Sequence, residues 1–181
     1  MTDSAHPSGT DRLAEVARLK DWSPDTIIVN LQGDEPLMPV ANVEQVSALL
    51  GRYKDASIAT LYESIVSQEQ FTDASVVKVI VDASGRAQYF SRAPIPHVRN
   101  PIDETCPQDA RRHIGLYAYR VSYLEDFSRQ PVAPYEQLES LEQLRALHCG
   151  HEIRIAQACE MVPAGVDTPA DLEAVRALMA T

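Results

Sequence analysis

The chain has 181 residues, 26 of them acidic and 16 basic, for a formal net charge of −10 at pH 7. That balance excludes a protein built to grip a nucleic-acid backbone, which needs a basic footprint. With 45% apolar and 23% charged residues the composition is that of a globular chain, and the length fits one domain over residues 1–181. No stretch approaches the roughly 20 consecutive apolar residues of a membrane span, and the start MTDSAHPSGTDR has no basic region leading into an apolar one. A cytoplasmic protein with no membrane insertion and no nucleic-acid partner is expected. Cys106, Cys149 and Cys159 form no CxxC pair, and an odd number closes no disulfide framework, so free thiols are expected. Neither GxGxxG nor GxxxxGK[ST] occurs, which removes the dinucleotide fingerprint and the P-loop.

In chain order, Ser8 followed three residues later by Asp11 resembles a capping box, and Leu13, Val16 and Leu19 continue at helical spacing, predicting a helix over about 10–20. Thr26–Leu31 (TIIVNL) is β-branched and apolar, reading as a strand buried on both faces that ends in Gln32-Gly33-Asp34-Glu35-Pro36. Val43, Val46, Leu49 and Leu50 mark a helix, and Ser57–Leu61 another strand. Ser75–Asp82 and Ala87–Arg92 flank the glycine-containing loop 83–86 and predict an antiparallel hairpin. After a proline-punctuated stretch, His113–Val121 resumes as a strand. Helices are expected near 122–129 and 136–148, a strand at 153–157, and a last helix opened by Thr168-Pro169-Ala170-Asp171, with Leu172, Val175, Leu178 and Met179 as its buried stripe. The pattern is an α/β sheet with an inserted antiparallel portion.

Gln32-Gly33-Asp34-Glu35-Pro36 leaves a strand at its carboxyl end, where open α/β sheets place their ligands. A carboxylate at Asp34 suits Mg²⁺, which takes one or two carboxylates plus substrate phosphates; the other reading is a turn whose Asp34 only accepts from backbone amides. Asp167 precedes the N-cap Thr168, as a second metal carboxylate or as plain helix-end electrostatics. Nothing in the spacing proves that Asp34 and Asp167 meet. His113 shares a strand face with Tyr117 and Tyr119, as a functional or a structural histidine. Arg92 offers a planar fork to a substrate carboxylate, or else a surface ion pair. On the helix through Leu138, Leu141 and Leu144, Arg145 falls in the apolar stripe and Glu142 at its edge, forming a polar pocket or one buried pair. Only Lys20, Lys54 and Lys78 are lysines, and none lies in a loop that would cradle a phosphate.

Six ordered segments carry a resemblance: His6–Arg12 (HPSGTDR), Val29–Pro36 (VNLQGDEP), Tyr89–Ala93 (YFSRA), His113–Tyr117 (HIGLY), Leu141–Arg145 (LEQLR) and Gly165–Pro169 (GVDTP). Together they resemble the 3-deoxy-manno-octulosonate cytidylyltransferases, the CMP-Kdo synthetases of lipopolysaccharide biosynthesis. The resemblance implies a doubly wound, Rossmann-like nucleotide-diphospho-sugar transferase fold with a small antiparallel insertion, acting as a homodimer. In the implied reaction the anomeric hydroxyl of Kdo attacks the α-phosphate of CTP and releases pyrophosphate, with Mg²⁺ as cofactor. By resemblance Asp34 and Asp167 are the catalytic metal carboxylates. Gln32, Arg92, His113, Tyr117, Glu142 and Gln143 match the Kdo pocket, and Ser8, Gly9 and Thr10 the segment beside the cytidine. Two other readings accompany it: a binding or dimerisation module without turnover, and a cytidylyltransferase for another 2-keto sugar acid such as a sialic acid.

One departure is large. The family's first strand and its PARxxSxRLPGKPL phosphate loop have no counterpart, so the domain is expected to be incomplete at its N-terminus by on the order of 60 residues, or two βα units. Thr26–Leu31 is then expected to keep one edge unpaired.

Overall fold

A computed structural model describes residues 2–3, 6, 8–100, 106–163, 165–166 and 168–179. Helix α1 (Gly9–Leu19) starts as its sequence dictates: Ser8 accepts from the Asp11 amide at 3.1 Å and donates to the Asp11 carboxylate at 2.7 Å. Strand β1 (Ile27–Asn30) leads into helix α2 (Val40–Arg52), then β2 (Ile58–Ser64) and a short α3 (Gln68–Thr72) that the sequence pattern did not predict. Strands β3 (Lys78–Val81) and β4 (Ala87–Ser91) form the expected hairpin. The long β5 (Arg111–Arg120), helices α4 (Val121–Phe127), α5 (Pro134–Glu139) and α6 (Gln143–His148), strand β6 (Ile153–Gln157) and helix α7 (Pro169–Met179) complete the chain.

The sheet runs β4-β3-β5-β2-β6, with β1 paired to β5 as well. Strand β5 is the hub. Its length lets β1 pair with the end at Tyr117–Arg120 while β3 reaches Arg112, and β2 runs antiparallel along it. Strands β2 and β6 are parallel, so the sheet is mixed and helices cover both faces. On one face α2 contributes Val46 and Leu50 to a cluster with Ala59, Leu61, Ile114, Leu116 and Ala118. On the other, Ala14 of α1 and Tyr123, Leu124, Phe127 and Leu144 from α4 and α6 pack on Ile58, Tyr117, Tyr119, Ile153 and Ile155. Alternation along β2, from Ile58 to Ala59, sends successive residues to opposite clusters.

The hairpin tip curls onto the outer edge of β6. Gly85, at φ +78°, accepts from the Ile155 amide at 3.0 Å, and Arg154 donates to the Ser84 carbonyl at 2.8 Å. A positive φ at this closed turn is the reason for glycine there. Capping of the β6 edge in this way removes a template for pairing with other chains. The Asp82 carboxylate organises the turn, accepting from the Ser84 and Arg86 amides and from Arg86 Nε at 2.8, 3.0 and 2.9 Å. Those bonds, the Arg86 amide first, hold its carboxyl well below the usual carboxylate range.

Lys78 lies fully buried in the otherwise apolar run of β3. Its ammonium donates all three protons to carbonyls, those of Asp73 at 2.7 Å and of Val76 and Arg92 at 2.6 Å. Burial lowers its pKa, and the three carbonyls make the charge tolerable. The result is a strut that fixes the backbone on which Arg92 is mounted.

Three expectations need correction. The helix predicted over 136–148 is two helices, because Ser140 takes the left-handed conformation (φ 54°, ψ 50°). That turn directs Leu141 and Leu144 into the core and leaves Leu138 86% exposed, a gain of burial that outweighs the roughly 1–2 kcal/mol local cost. Strand β1 is half-buried rather than buried on both faces, pairing with β5 on one edge only among the described residues. In α7 the reciprocal cap forms, Thr168 N donating to Asp171 at 2.8 Å and Asp171 N to Thr168 Oγ1 at 3.3 Å. Its stripe is not buried, however: only Val175 faces inward, while Leu178 and Met179 are 63% and 70% exposed. Helical spacing sets which residues share a face, and says nothing of whether a neighbour covers it.

Candidate active site

A cavity of about 800 Å³ opens where β1 ends, walled by the β1–α2 loop, the N-terminus of α1, β5 and the α5–α6 turn. It collects Gly9, Thr10, Gln32, Asp34, Arg92, His113, Tyr117, Glu142 and Gln143, nine of the residues singled out in the sequence. Ser8 does not line it; that side chain caps α1 and places Gly9 and Thr10 at the wall. Asp167 lies outside the described residues. Its chain neighbour Val166 donates to the Asp34 carbonyl at 2.8 Å, which ties the segment before α7 to the β1–α2 loop.

Asp34 is exposed, and its carboxylate accepts no hydrogen bond among the described residues, so the turn-stabilising reading fails. A hard, unengaged oxygen donor at this strand end fits Mg²⁺. No group of three or more His, Cys, Asp or Glu side chains forms a metal cage among the described residues, and Mg²⁺ held by one or two carboxylates takes its remaining ligands from substrate oxygens and water.

Arg92 is not in a surface ion pair. Its Nε donates to the Glu139 carbonyl at 2.8 Å and Nη1 to the Ala74 carbonyl at 3.1 Å, while its amide donates to the Glu139 carboxylate at 2.9 Å. Two of five guanidinium N–H groups are thereby used, and Nη2 is left for a ligand in the cavity. Arg112 also lines the cavity but is committed to Glu63, with Nε–Oε2 at 2.8 Å and Nη2–Oε2 at 2.5 Å.

Register between β2 and β5 jumps after Thr60↔Tyr117 to Leu61↔Ile114, so Gly115 and Leu116 bulge from the ladder. Gln32 uses the space, its amide donating to the Gly115 carbonyl at 3.1 Å. A Cβ on Gly115 would lie 2.7 Å from that amide nitrogen, so only glycine admits it. Two extra residues preserve the side-chain alternation, and His113, Tyr117 and Tyr119 share the cavity face, their rings 5.2 and 5.5 Å apart in succession. Phe90 packs edge-on to His113 at 4.9 Å.

Burial in this aromatic setting drives the His113 pKa down to about 3 from its ordinary 6.5. The unfolded chain then takes up a proton below pH 6.5 that the folded chain refuses, so this residue's contribution to stability is full above 6.5 and falls away as pH drops toward 3. A histidine titration followed by NMR is expected to show the His113 ring unchanged from pH 7.5 to about 4.5. A midpoint near 6.5 would contradict the burial argument.

Glu142 accepts from Thr10 Oγ1 at 2.6 Å, joining α1 to the α5–α6 turn across the cavity. Gln143 is 7% exposed and points no amide group at a described protein partner. Arg145 pairs with Glu136, not Glu142, through bonds of 2.9 and 2.6 Å, and stacks on Phe127 at 4.0 Å. The sequence pattern marks Tyr119 only as a face neighbour of His113 and Lys78 only as one of three lysines, and it does not mark Thr60, Tyr123 or Glu139 at all. Thr60 and Lys78 carry a signal, each being polar within an apolar strand; Tyr123 reads as ordinary core.

Residues 1–153 match the family model described as cytidylyltransferase. A 3-deoxy-manno-octulosonate cytidylyltransferase of Cellvibrio japonicus is 50% identical over 185 residues, covering 99% of this chain and 72% of that protein. One from Acinetobacter baumannii is 50% identical over 176 residues, covering 96% and 70%. A solved structure of CMP:2-keto-3-deoxy-manno-octonic acid synthetase complexed with CTP superimposes with a TM-score of 0.86 at 43% identity, covering 99% of this chain and 71% of that one.

Proposed function

The chain belongs to the cytidylyltransferase family, as one of its 3-deoxy-manno-octulosonate cytidylyltransferases, and from that premise we propose that the cavity at the end of β1 is where CMP passes from CTP to the sugar acid. The reaction is transfer of CMP from CTP to 3-deoxy-manno-octulosonate (Kdo), giving CMP-Kdo and pyrophosphate. The anomeric hydroxyl oxygen of Kdo forms the new bond to the α-phosphorus, its proton is lost to solvent, and the bond to the β-phosphate breaks as pyrophosphate leaves.

The observation that carries the placement is Arg92. Arg92, its guanidinium held by backbone carbonyls with Nη2 unused, is the cation offered in a cavity whose other charged side chains are Asp34, Glu35, Glu142 and Arg112, the last already paired to Glu63. That inventory matches a ligand with one carboxylate and many hydroxyls. Arg92 takes the carboxylate of Kdo through its planar fork. Gln32, His113, Tyr117, Glu142 and Gln143 orient the hydroxyls, and Gly9 and Thr10 lie beside the cytidine. Orientation of this kind converts the encounter of hydroxyl and α-phosphate into a near-unimolecular step.

Asp34 would hold Mg²⁺ from the chain side, together with Asp167. When bound, the ion neutralises charge on the triphosphate and acidifies the attacking hydroxyl. A single cytidylyltransferase domain, work in the cytoplasm for lipopolysaccharide synthesis, and a homodimeric state belong to the same reading and rest on the resemblance. No helix among the described residues is long and apolar enough to cross a membrane.

Pyrophosphate release from CTP on addition of Kdo and Mg²⁺, measured on the full-length gene product, tests the reading. Release that requires Kdo, with CMP-Kdo as coproduct, is expected; release with N-acetylneuraminate in preference to Kdo would overturn it. Gly115→Ala is expected to raise KM for Kdo about tenfold with little change in thermal stability, because the added methyl displaces the movable end of Gln32 and not backbone. A stability loss with unchanged KM would show that the bulge serves the fold alone.

A further inference from the structure

The hydroxyl of Thr60 is fully buried beneath the β5 bulge, 2.9 Å from the Leu116 carbonyl, 3.1 Å from the Ile114 carbonyl and 2.9 Å from His113 Nε2. A hydroxyl has one proton to give, and a carbonyl can only accept. The proton therefore belongs to the two carbonyls, since giving it to Nε2 would press two carbonyl oxygens against bare lone pairs. Nε2 must then be the donor in its contact with Thr60. A neutral imidazole has one N–H, so Nδ1 carries the lone pair. Nδ1 has no acceptor or donor partner in the described protein and is not sealed in, and the ring lines the cavity.

We infer that Thr60 is a positioning residue that locks His113 in the Nε2–H tautomer, so that Nδ1 faces the cavity as an acceptor only and selects a ligand hydroxyl there. The lock follows from chain geometry; that the hydroxyl is one of Kdo rests on the function proposed above. Three features reinforce it. Phe90 and Tyr117 flank the ring at 4.9 and 5.2 Å and restrict its rotation. Thr60 Oγ1 lies within bonding distance of both the Ile114 and Leu116 carbonyls, so its hydroxyl cannot swing away without giving up both contacts. The bulge that needs Thr60 is also the one that admits Gln32, so one side chain sets the aim of two cavity residues from opposite sides of β5. An acceptor at Nδ1 discriminates by polarity: it accepts from a hydroxyl and rejects a carboxylate oxygen, which leaves the acid end of the ligand to Arg92.

Nitrogen-15 spectra of histidine-labelled protein distinguish the two tautomers without substrate. In the unliganded full-length protein at pH 7 His113 is expected as the Nε2–H form, retained in Thr60→Ser, which keeps the hydroxyl, and lost to a mixture in Thr60→Val. Addition of Kdo is expected to shift the His113 Nδ1 signal in the wild type and in Thr60→Ser, and to bind Thr60→Val about tenfold more weakly, the worth of one hydrogen bond. An Nδ1–H form in the wild type, or an unchanged tautomer in Thr60→Val, would overturn the lock; the wild-type spectrum decides even if Thr60→Val fails to fold. A correct tautomer with an Nδ1 signal that Kdo leaves unmoved would overturn the ligand and not the lock.

Discussion

Asp34→Asn is expected to lower kcat/KM for CMP transfer by about 10²–10³-fold, while leaving the thermal midpoint within a degree or two of the parent. The two halves of that expectation come from the same observation. The Asp34 side chain is exposed and bonds to nothing in the described protein, so the fold loses nothing when its charge goes. The backbone around it is nevertheless fixed: Glu35 N donates to the Gln32 carbonyl at 3.2 Å, and Val166 N to the Asp34 carbonyl at 2.8 Å. A carboxylate held on a rigid loop at a cavity mouth with no structural employment is placed for a ligand. The amide keeps the shape and removes the hard anionic oxygen that Mg²⁺ requires, so the KM for Mg²⁺ should rise with the loss of rate. Undiminished turnover would remove Asp34 from the chemistry, and a large drop in stability would return it to the role of a turn residue.

Arg145→Met has the largest expected effect on stability, a loss of about 3–5 kcal/mol, read as a fall in thermal midpoint on the order of 10 °C. Both members of the Glu136–Arg145 pair are 6% exposed. Glu136 also accepts from the Ala133 amide at 3.0 Å, closing the first turn of α5. Removal of the guanidinium leaves a carboxylate in the core with an amide as its only partner, and its desolvation is no longer offset. Glu136→Gln combined with Arg145→Met should recover much of the loss, since no unpaired charge then stays buried. The pair also joins α5 to α6 across the turn that presents Glu142 and Gln143, so a folded remnant of Arg145→Met should bind Kdo poorly. Equal stability of Arg145→Met and the parent would contradict the assignment of this pair as the link between the two helices.

The parts of this molecule legible in its sequence are those that short-range physics decides. Ser8 and Thr168 announced helix starts, since a cap is a matter of three or four neighbouring residues. The hairpin around Gly85 was legible for the same reason, and strand runs such as 26–31 and 113–121 by their β-branched and apolar content. The misses concern what lies across space. Ser140 carries no mark of a left-handed turn; the conformation is imposed by Leu141, Leu144 and the Glu136–Arg145 pair finding the core together. Residues 26–31 read as fully buried because composition cannot tell which strand edge and face a fold will cover. The apolar side of α7 reads as core by the same error.

Gln32, Asp34, Arg92, His113, Tyr117, Glu142 and Gln143 converge on one cavity as expected from the resemblance. The convergence of these residues was legible, and the construction of the cavity was not. Only the structure discloses that Arg92 is held by carbonyls, that Glu142 answers Thr10 instead of Arg145, and that a bulge at Gly115 and Leu116 brings Gln32 and His113 to the same wall. Thr60 shows why: a single threonine in an apolar strand looks like a blemish until the register shift places two carbonyls and an imidazole around it.

The claim on which the rest depends is that this cavity takes the sugar acid with Arg92 at its carboxylate. Isothermal titration of Kdo into the full-length protein, into Arg92→Gln and into Arg129→Gln, a substitution of a side chain that is 75% exposed, tests it directly. One Kdo per chain in the parent and in Arg129→Gln, with affinity reduced at least tenfold in Arg92→Gln, is the predicted result; equal affinity in all three would contradict it.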